Sequence, residues 1–442
     1  MQQIDNTLIQ NIAQRFSSFE SNLNGQSKTT IHEVRKSALA QVQKLGFPST
    51  KHEEWKYTNR KNILNRDYIS PISYTATANF RDKILQLENL EDNLLIFVNG
   101  CYVKELSHIN LDETQIIVEP FAEACKKYPA LVEKHFAKYA DTEKDSLVAF
   151  NTAFAQQGVF IHVKANAKIE TPIFVQYITD TSLTNILSTP RNLIIAEKNS
   201  SAILVEKYRS FGTLSGFTTA VTEIVVEANA EIDHYKLQND TISVSSINHT
   251  QVLQARDSRY TNTTITLNGE TVRNNLHVVI NGENCEANMN GLYAPTGKTH
   301  IDNHTLADHQ KPHSVSNELY KGLLDGNSSG VFNGKIYVRQ DAQKTNAFQS
   351  NKNILLSPNA VVNTKPQLEI WADDVKCSHG CTTGALDEEP MFYLRARGIP
   401  ETEARALLMF AFAEDVLSRI KIPSLRSYVE KVIAERLKVE VL

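Results

Sequence analysis

About 230 consecutive residues, from 156 to 384, hold no amphipathic helical pattern and read almost entirely as β structure. Short runs rich in Val, Ile, Thr and Tyr recur at Val159–Val163, Ile173–Ile178, Ile203–Val205, Thr222–Val226, Ile232–Leu237, Thr263–Leu267 and Leu276–Ile280. Asn268-Gly269, Asn281-Gly282, Asn290-Gly291 and Asn333-Gly334 supply turn chemistry between such runs. One small sandwich cannot absorb so many strands, which leaves a large barrel, paired sandwiches or a solenoid. The absence of a strict repeat period argues against the solenoid.

The flanks are different. Residues 1–155 form a mixed, mostly helical region. Leu8, Ile12, Phe16 and Phe19 fall on one helical stripe. Ile31, Val34, Ala38, Val42 and Leu45 form a second stripe, with Gly46 and Pro48 as its stop. Leu94–Val98, Asn99-Gly100 and Cys101–Val103 read as a hairpin, and residues 145–157 as another helix. Residues 385–442 are helical again. Pro400 opens one helix, with a buried stripe expected at Ala404, Leu407, Leu408, Ala411 and Leu417. Pro423 opens a second, carrying Leu425, Val429, Val432, Ile433 and Leu437. Helices with single stripes need a surface, either the β body or another protein.

The 46 Lys and Arg against 50 Asp and Glu give a net charge of −4, which offers no footprint for nucleic acid or an anionic membrane. The longest apolar run, Ala406–Ala413, is eight residues, far short of the roughly 18 that a membrane helix needs. Met1-Gln2-Gln3-Ile4-Asp5-Asn6 has neither a basic nor an apolar leader region. Five cysteines, an odd number in 442 residues, are no disulfide framework. A reducing cytoplasm is the expected location.

The densest chemistry lies in Trp371–Cys381, where Cys377, His379 and Cys381 occur at i, i+2 and i+4. On a strand all three project from one face, and thiolate and imidazole suit zinc, copper or an iron–sulfur cluster. Closed sites want four ligands. Two small buried thiols beside a hydrogen-bonded histidine, or Cys377 as a nucleophile next to a base, therefore stay open. His300, His304, His309 and His313, with Asp302, form a second candidate: either a divalent-cation site or a polar ladder on a sheet face. No phosphate-binding loop and no G-x-S-x-G elbow occurs.

Several long segments carry a resemblance. Thr364–Ile370, Ala372–Gly380 and Phe392–Ile399 are similar to the SufB/SufD family, subunits of the SufBCD iron–sulfur cluster assembly complex, and within it to the SufD branch. Lys51–Thr58, His309–Pro312 and Val331–Gly334 extend the match. The resemblance implies a right-handed parallel β-helix (156–384) between an N-terminal region (1–155) and a C-terminal helical region (385–442) that binds the ATPase SufC. It implies pairing with SufB, and a scaffold rather than an enzyme, with ATP hydrolysis left to the partner. A transient iron–sulfur cluster or iron would sit at the complex interface, with His379 as a donor, Cys377 beside it and Cys381 a departure from the family pattern. No cofactor is expected in the isolated chain, and both a flavin and a homodimer of that chain stay open. Phe392, Tyr393, Arg395 and Arg397 are the expected partner contacts. Cys285 does not match the β-helix cysteine characteristic of SufB. The alternatives are a stand-alone β-helix enzyme acting on polysaccharide and an intrachain metal-binding module.

Overall fold

The computed structural model describes residues 11–23, 25–59, 61–75 and 93–437. The chain winds as a parallel β-solenoid of about eight turns. It alternates between two sheets of eleven and ten strands, so that each strand pairs with the one two places along. Glu231–Asn239, for example, lies between Ser201–Gly212 and Arg259–Asn268, parallel to both. The solenoid begins before residue 156: Asn93–Val98 joins Ile173–Thr181 in parallel, and Ile116–Pro120 pairs antiparallel with Val159–Val163. At the first of these, Val98 and Cys101 close the expected hairpin, with Asn99 (φ 51°) and Gly100 (φ 82°) both left-handed, as a two-residue turn requires.

A repeat does exist, at the corners. Asn166, Asn199, Asn229, Asp257, Asn284, His313 and Lys344 all carry φ between 57° and 66°. Each donates its backbone N–H to the next turn, Asn199 to Ala228 and Asn229 to Arg256 among them. Side chains stack as well, since Asn199 Nδ2 meets Asn166 Oδ1 and Asn229 Nδ2 meets Asn199 Oδ1, both at 2.9 Å. Asn and Asp tolerate the left-handed region better than other non-glycine residues. The spacing runs from 27 residues (Asp257 to Asn284) to 33 (Asn166 to Asn199), and the ladder ends on His and Lys. A variable period with changing residue type escapes a search for strict repeats, so the argument against a solenoid fails.

Two of the expected turns are not turns. Asn290-Gly291 lies inside the strand Glu286–Tyr293, and Asn333-Gly334 inside Ser329–Val338. The reason is across the interior. A Cβ on Gly291 would stand 2.2 Å from the Tyr320 ring, and one on Gly334 2.3 Å from Gln349 Nε2. These glycines make room for a neighbouring turn's side chain. The strands are also longer than their apolar runs, because Thr, Asn and Gln continue them.

The solenoid interior is a continuous apolar core with stacked aromatics, including Tyr177 and Tyr208 at 5.0 Å between centroids. The outer face of the ten-stranded sheet carries the N-terminal helices. Thr30–Leu45 is capped by Thr29 and stopped by Gly46, with Ile31, Ala38 and Val42 buried but Leu45 exposed. Ile12 and Phe16 are buried as expected; Leu8 lies outside the described residues. Ser146–Ala153 packs on the same face through Leu147 and Phe150, against Phe217 and Ile247.

The C-terminal helices Glu401–Leu417 and Pro423–Leu437 cover the eleven-stranded sheet. Met409, Ala413, Val416, Val429 and Ile433 meet Tyr235, Leu237, Ile265 and Leu292. Ala404 and Leu417 of the expected stripe are buried and Leu408 is half-buried, but between them the buried face is rotated: Ala406, Met409 and Ala413 face inward, while Leu407 is 42% exposed and Ala411 also faces outward. The sheet presents large side chains, so the helix approaches through its small ones. Among the described residues, no helix is long and apolar enough to cross a membrane.

Candidate functional site

The eleven-stranded sheet ends at Lys376–Gly384 and the ten-stranded sheet at Val361–Ile370. Each pairs on one edge only, so the last turn of the solenoid is open. Lys376–Gly384 is mostly exposed and Val361–Ile370 mostly half-buried, whereas Asn346–Leu355, one turn back from the first, is buried at alternate positions. Val361 (51% exposed), Ile370 and Trp371 add apolar surface there. An unprotected strand edge is a ready template for another chain.

Register explains why the donors sit at this end. Parallel pairing places His379 beside Gln349, Gln349 beside Glu318, and Glu318 beside Met289, one inward-facing column of the solenoid. Cys377 continues the column of Ser316 and Ala347, and Cys381 that of Tyr320 and Asn351. All three donors are thus interior positions by alternation. They reach solvent because the coil stops.

Their environments differ. His379 is exposed, and its imidazole makes no hydrogen bond among the described residues. Cys377 is half-buried against the interior core, and burial raises its pKa. Cys381 Sγ lies 2.9 Å from Thr364 Oγ1 on the other sheet and 3.7 Å from Asn351 Oδ1. All five cysteines are free. Among the described residues, no three His, Cys, Asp or Glu side chains converge as a metal site. Behind His379, Gln349 Nε2 donates to Glu318 Oε2 at 2.6 Å, and burial pushes Glu318 up to about 7. The sequence reading missed Gln349, Glu318, Asn351 and Thr364. Gln349 and Asn351 lie one turn back from the donors, Glu318 two turns back and Thr364 on the facing sheet, relations visible only once the register is known.

The histidine group between 300 and 313 divides. His300, Asp302 and His304 share the outer face of one strand, whereas His309 points inward, with Nε2 2.8 Å from Ser316 Oγ, and His313 is a corner residue. The outer three hold the N-terminal segment. His300 Nε2 lies 2.8 Å from Thr58 Oγ1, and Thr58 donates to Asp302 Oδ2 at 2.5 Å. Asp302 also takes Arg273 Nη1 at 2.6 Å and His304 Nε2 at 2.9 Å. His304 Nδ1 reaches Glu54 at 3.2 Å, and Lys335 pairs with Glu54 too. Trp55 is 7% exposed and lies under the Arg273 guanidinium, 4.0 Å from its ring centroid. This is a polar latch that seats residues 54–58 on the sheet.

The latch has a pH signature. The His304 hydrogen bond, with Lys335 adding to it, holds Glu54 down to about 2 against the opposing effect of burial. A depressed carboxylate contributes stability above its unfolded pKa and loses it as pH falls toward the folded value. The protection factors of the amides of residues 49–58, taken against the intrinsic exchange rate at each pH, should therefore be high at neutral pH and fall progressively below about 4.5, the ordinary glutamate value. Glu54→Gln should flatten that profile. Equal acid sensitivity in both proteins would show that the latch does not depend on Glu54.

The four expected partner contacts lie on and just after the helix Glu388–Ala396, which buries none of its residues. Phe392 is 74% and Tyr393 58% exposed. Arg397 stacks on the Tyr393 ring at 5.1 Å and donates to its hydroxyl, and Arg395 lies 3.3 Å from Glu401. Exposed aromatic and arginine side chains on one short helix are the composition of a binding surface.

Comparison with known proteins agrees with this architecture. Residues 6–175 match the SufBD protein N-terminal region, and residues 177–412 match the SufBD core domain of SUF-system FeS cluster assembly. The chain is 32% identical over 403 residues to the iron–sulfur cluster assembly protein SufD of Escherichia coli, covering 90% of this chain and 91% of that one. It is 30% identical over 432 residues to an iron–sulfur cluster assembly SufBD family protein of Synechocystis, covering 94% and 93%. The Bacillus subtilis SufD is 26% identical over 425 residues, covering 93% of this chain and 95% of that one. A β-solenoid flanked by helices, these two matched regions and these relatives together make the chain a member of the SufBD family of SUF-system iron–sulfur cluster assembly proteins.

Proposed function

We propose that this chain is a non-catalytic scaffold that pairs, through the open end of its solenoid, with a second, SufB-like family member, and that the pair holds nascent cluster as cargo at the junction. The observation that carries this is the coincidence of His379, Cys377 and Cys381 with the open strand edges at the last turn of the solenoid. A partner adding strands there would bury the edge and bring its own ligands to an incomplete set. His379 is the leading donor. Cys377 is a second, and Cys381, already engaged by Thr364 and Asn351, is the weakest. The five free thiols suit work in a reducing cytoplasm. A SufC-like ATPase docks on Phe392, Tyr393, Arg395 and Arg397 and supplies the nucleotide chemistry.

Co-expression of the three subunits, read by the mass of the purified complex, tests both contacts. Val361→Asp with Ile370→Asp puts charge on the free edge without opening a cavity and should abolish SufB pairing. Phe392→Ala with Tyr393→Ala should lose the ATPase copy bound to this chain and leave SufB pairing in place. Intact pairing in the first variant would overturn the open-end assignment.

A further inference from the structure

A second site lies far from the donors, between the first described helix and the start of the solenoid. The helix Ile12–Ser21 faces the segment 68–72, the hairpin turn at Asn99-Gly100 and the strand Ile186–Ser188 across a cleft of about 410 Å³. Its apolar lining comes from Phe19, Phe154 and Leu187, with Ile69 and Ile72 55% and 69% exposed at the rim. Its polar lining includes Arg15 on the helix and Ser188 on the strand opposite.

Among the described residues, Arg15 Nε and Ser188 Oγ lack partners. Arg15 has no carboxylate within ion-pair reach among the described residues, its Nε is buried without an acceptor, and only the field of Asp67 partly offsets its burial. Ser188 is 5% exposed, and its Oγ is also buried without a partner. A guanidinium taken partly out of water without an anion, lining the same cleft as an orphaned hydroxyl, is unfavourable unless a ligand completes it. Guanidinium geometry matches carboxylate and phosphate oxygens, and the hydroxyl adds a donor to the same headgroup. Gly100 faces this floor: a Cβ there would be in van der Waals contact, at 3.8 Å, with the Ser188 and Gln157 side chains.

We propose that this cleft binds a small organic anion, a carboxylate or phosphate ester with an apolar body, whose headgroup rests on Arg15 and Ser188 and whose body lies on Phe19 and Phe154. The site stands independently of the cluster-assembly reading.

Calorimetric titration of the full chain at low salt with benzoate, phenyl phosphate and inorganic phosphate tests it. At least one organic anion should bind saturably and more tightly than inorganic phosphate, and the tighter of the two identifies the headgroup. Arg15→Gln should weaken that binding by about tenfold or more, the factor for losing one charge-assisted contact. Arg15→Lys should keep part of it, and Ser188→Ala should weaken it by less than Arg15→Gln does. Thermal melting of each variant checks that it is folded. No saturable binding of either organic anion, affinity unchanged in folded Arg15→Gln, or inorganic phosphate binding as tightly as phenyl phosphate would each overturn the proposal.

Discussion

Glu223→Gln is expected to cost about 3–5 kcal/mol of stability, the range for breaking a fully buried ion pair from one side. Glu223 and Arg191 have fully buried side chains and are 2.5 Å apart. The carboxylate also organises the chain above the sheet. Its Oε1 accepts the N–H groups of Tyr139 and Ala140, both at 2.8 Å, and its Oε2 accepts that of Ala137 at 2.9 Å. An amide can keep one set of acceptors, but its NH2 must then face the Ala137 N–H and the Arg191 guanidinium. Donors would oppose donors in a site closed to water, and Arg191 would keep its charge without a counter-ion. Replacing both partners, Arg191→Met with Glu223→Leu, removes the stranded charge and should recover part of the loss. Denaturant midpoints of the three proteins measure this; a loss below about 1 kcal/mol in Glu223→Gln, typical of an exposed pair, would refute it.

Trp55→Ala is the second large effect, about 3–5 kcal/mol for truncating a buried indole. The cavity is only part of the cost. Arg273 uses the ring as a platform while its Nη1 binds Asp302 and the Glu54 carbonyl, so removing the indole loosens the latch at its centre. Proteolysis near residues 46–58 should accelerate along with the fall in melting temperature. Impaired cluster assembly in a Trp55→Ala protein of unchanged stability would give the residue a direct role and refute the packing account.

These two cases show what sequence makes legible. The helix Thr30–Leu45 was readable because its apolar spacing, its cap and its glycine stop are all local. The Asn99-Gly100 hairpin was readable for the same reason. The candidate donors were readable because they are adjacent in the chain. What failed was non-local. Asn290-Gly291 and Asn333-Gly334 look like turns until Tyr320 and Gln349 are known to fill the space beside them. The latch joins Glu54 to His304 and Lys335 across some 250 residues, and no short-range pattern announces it. The solenoid is legible through the family resemblance and not through periodicity, because its repeat is carried by backbone conformation at Asn, Asp, His and Lys corners, with spacing that drifts from turn to turn. For His379, sequence located the residue. Only the register shows that it terminates an interior column and is exposed because the coil ends.

That position makes His379 the residue on which the central claim turns. The decisive measurement is the iron and acid-labile sulfide content of the complex of this chain with SufB-like and SufC-like subunits, compared between wild type and His379→Ala after the same reconstitution. His379 is exposed and packs nothing, so the variant should fold and pair normally. Its bound cluster should nonetheless fall by about tenfold or more, because even residues that merely support a metal ligand cost roughly 10–100-fold when removed. Cys381→Ala should fall less. A His379→Ala complex of correct mass that carries the wild-type complement of iron and sulfide would contradict the account.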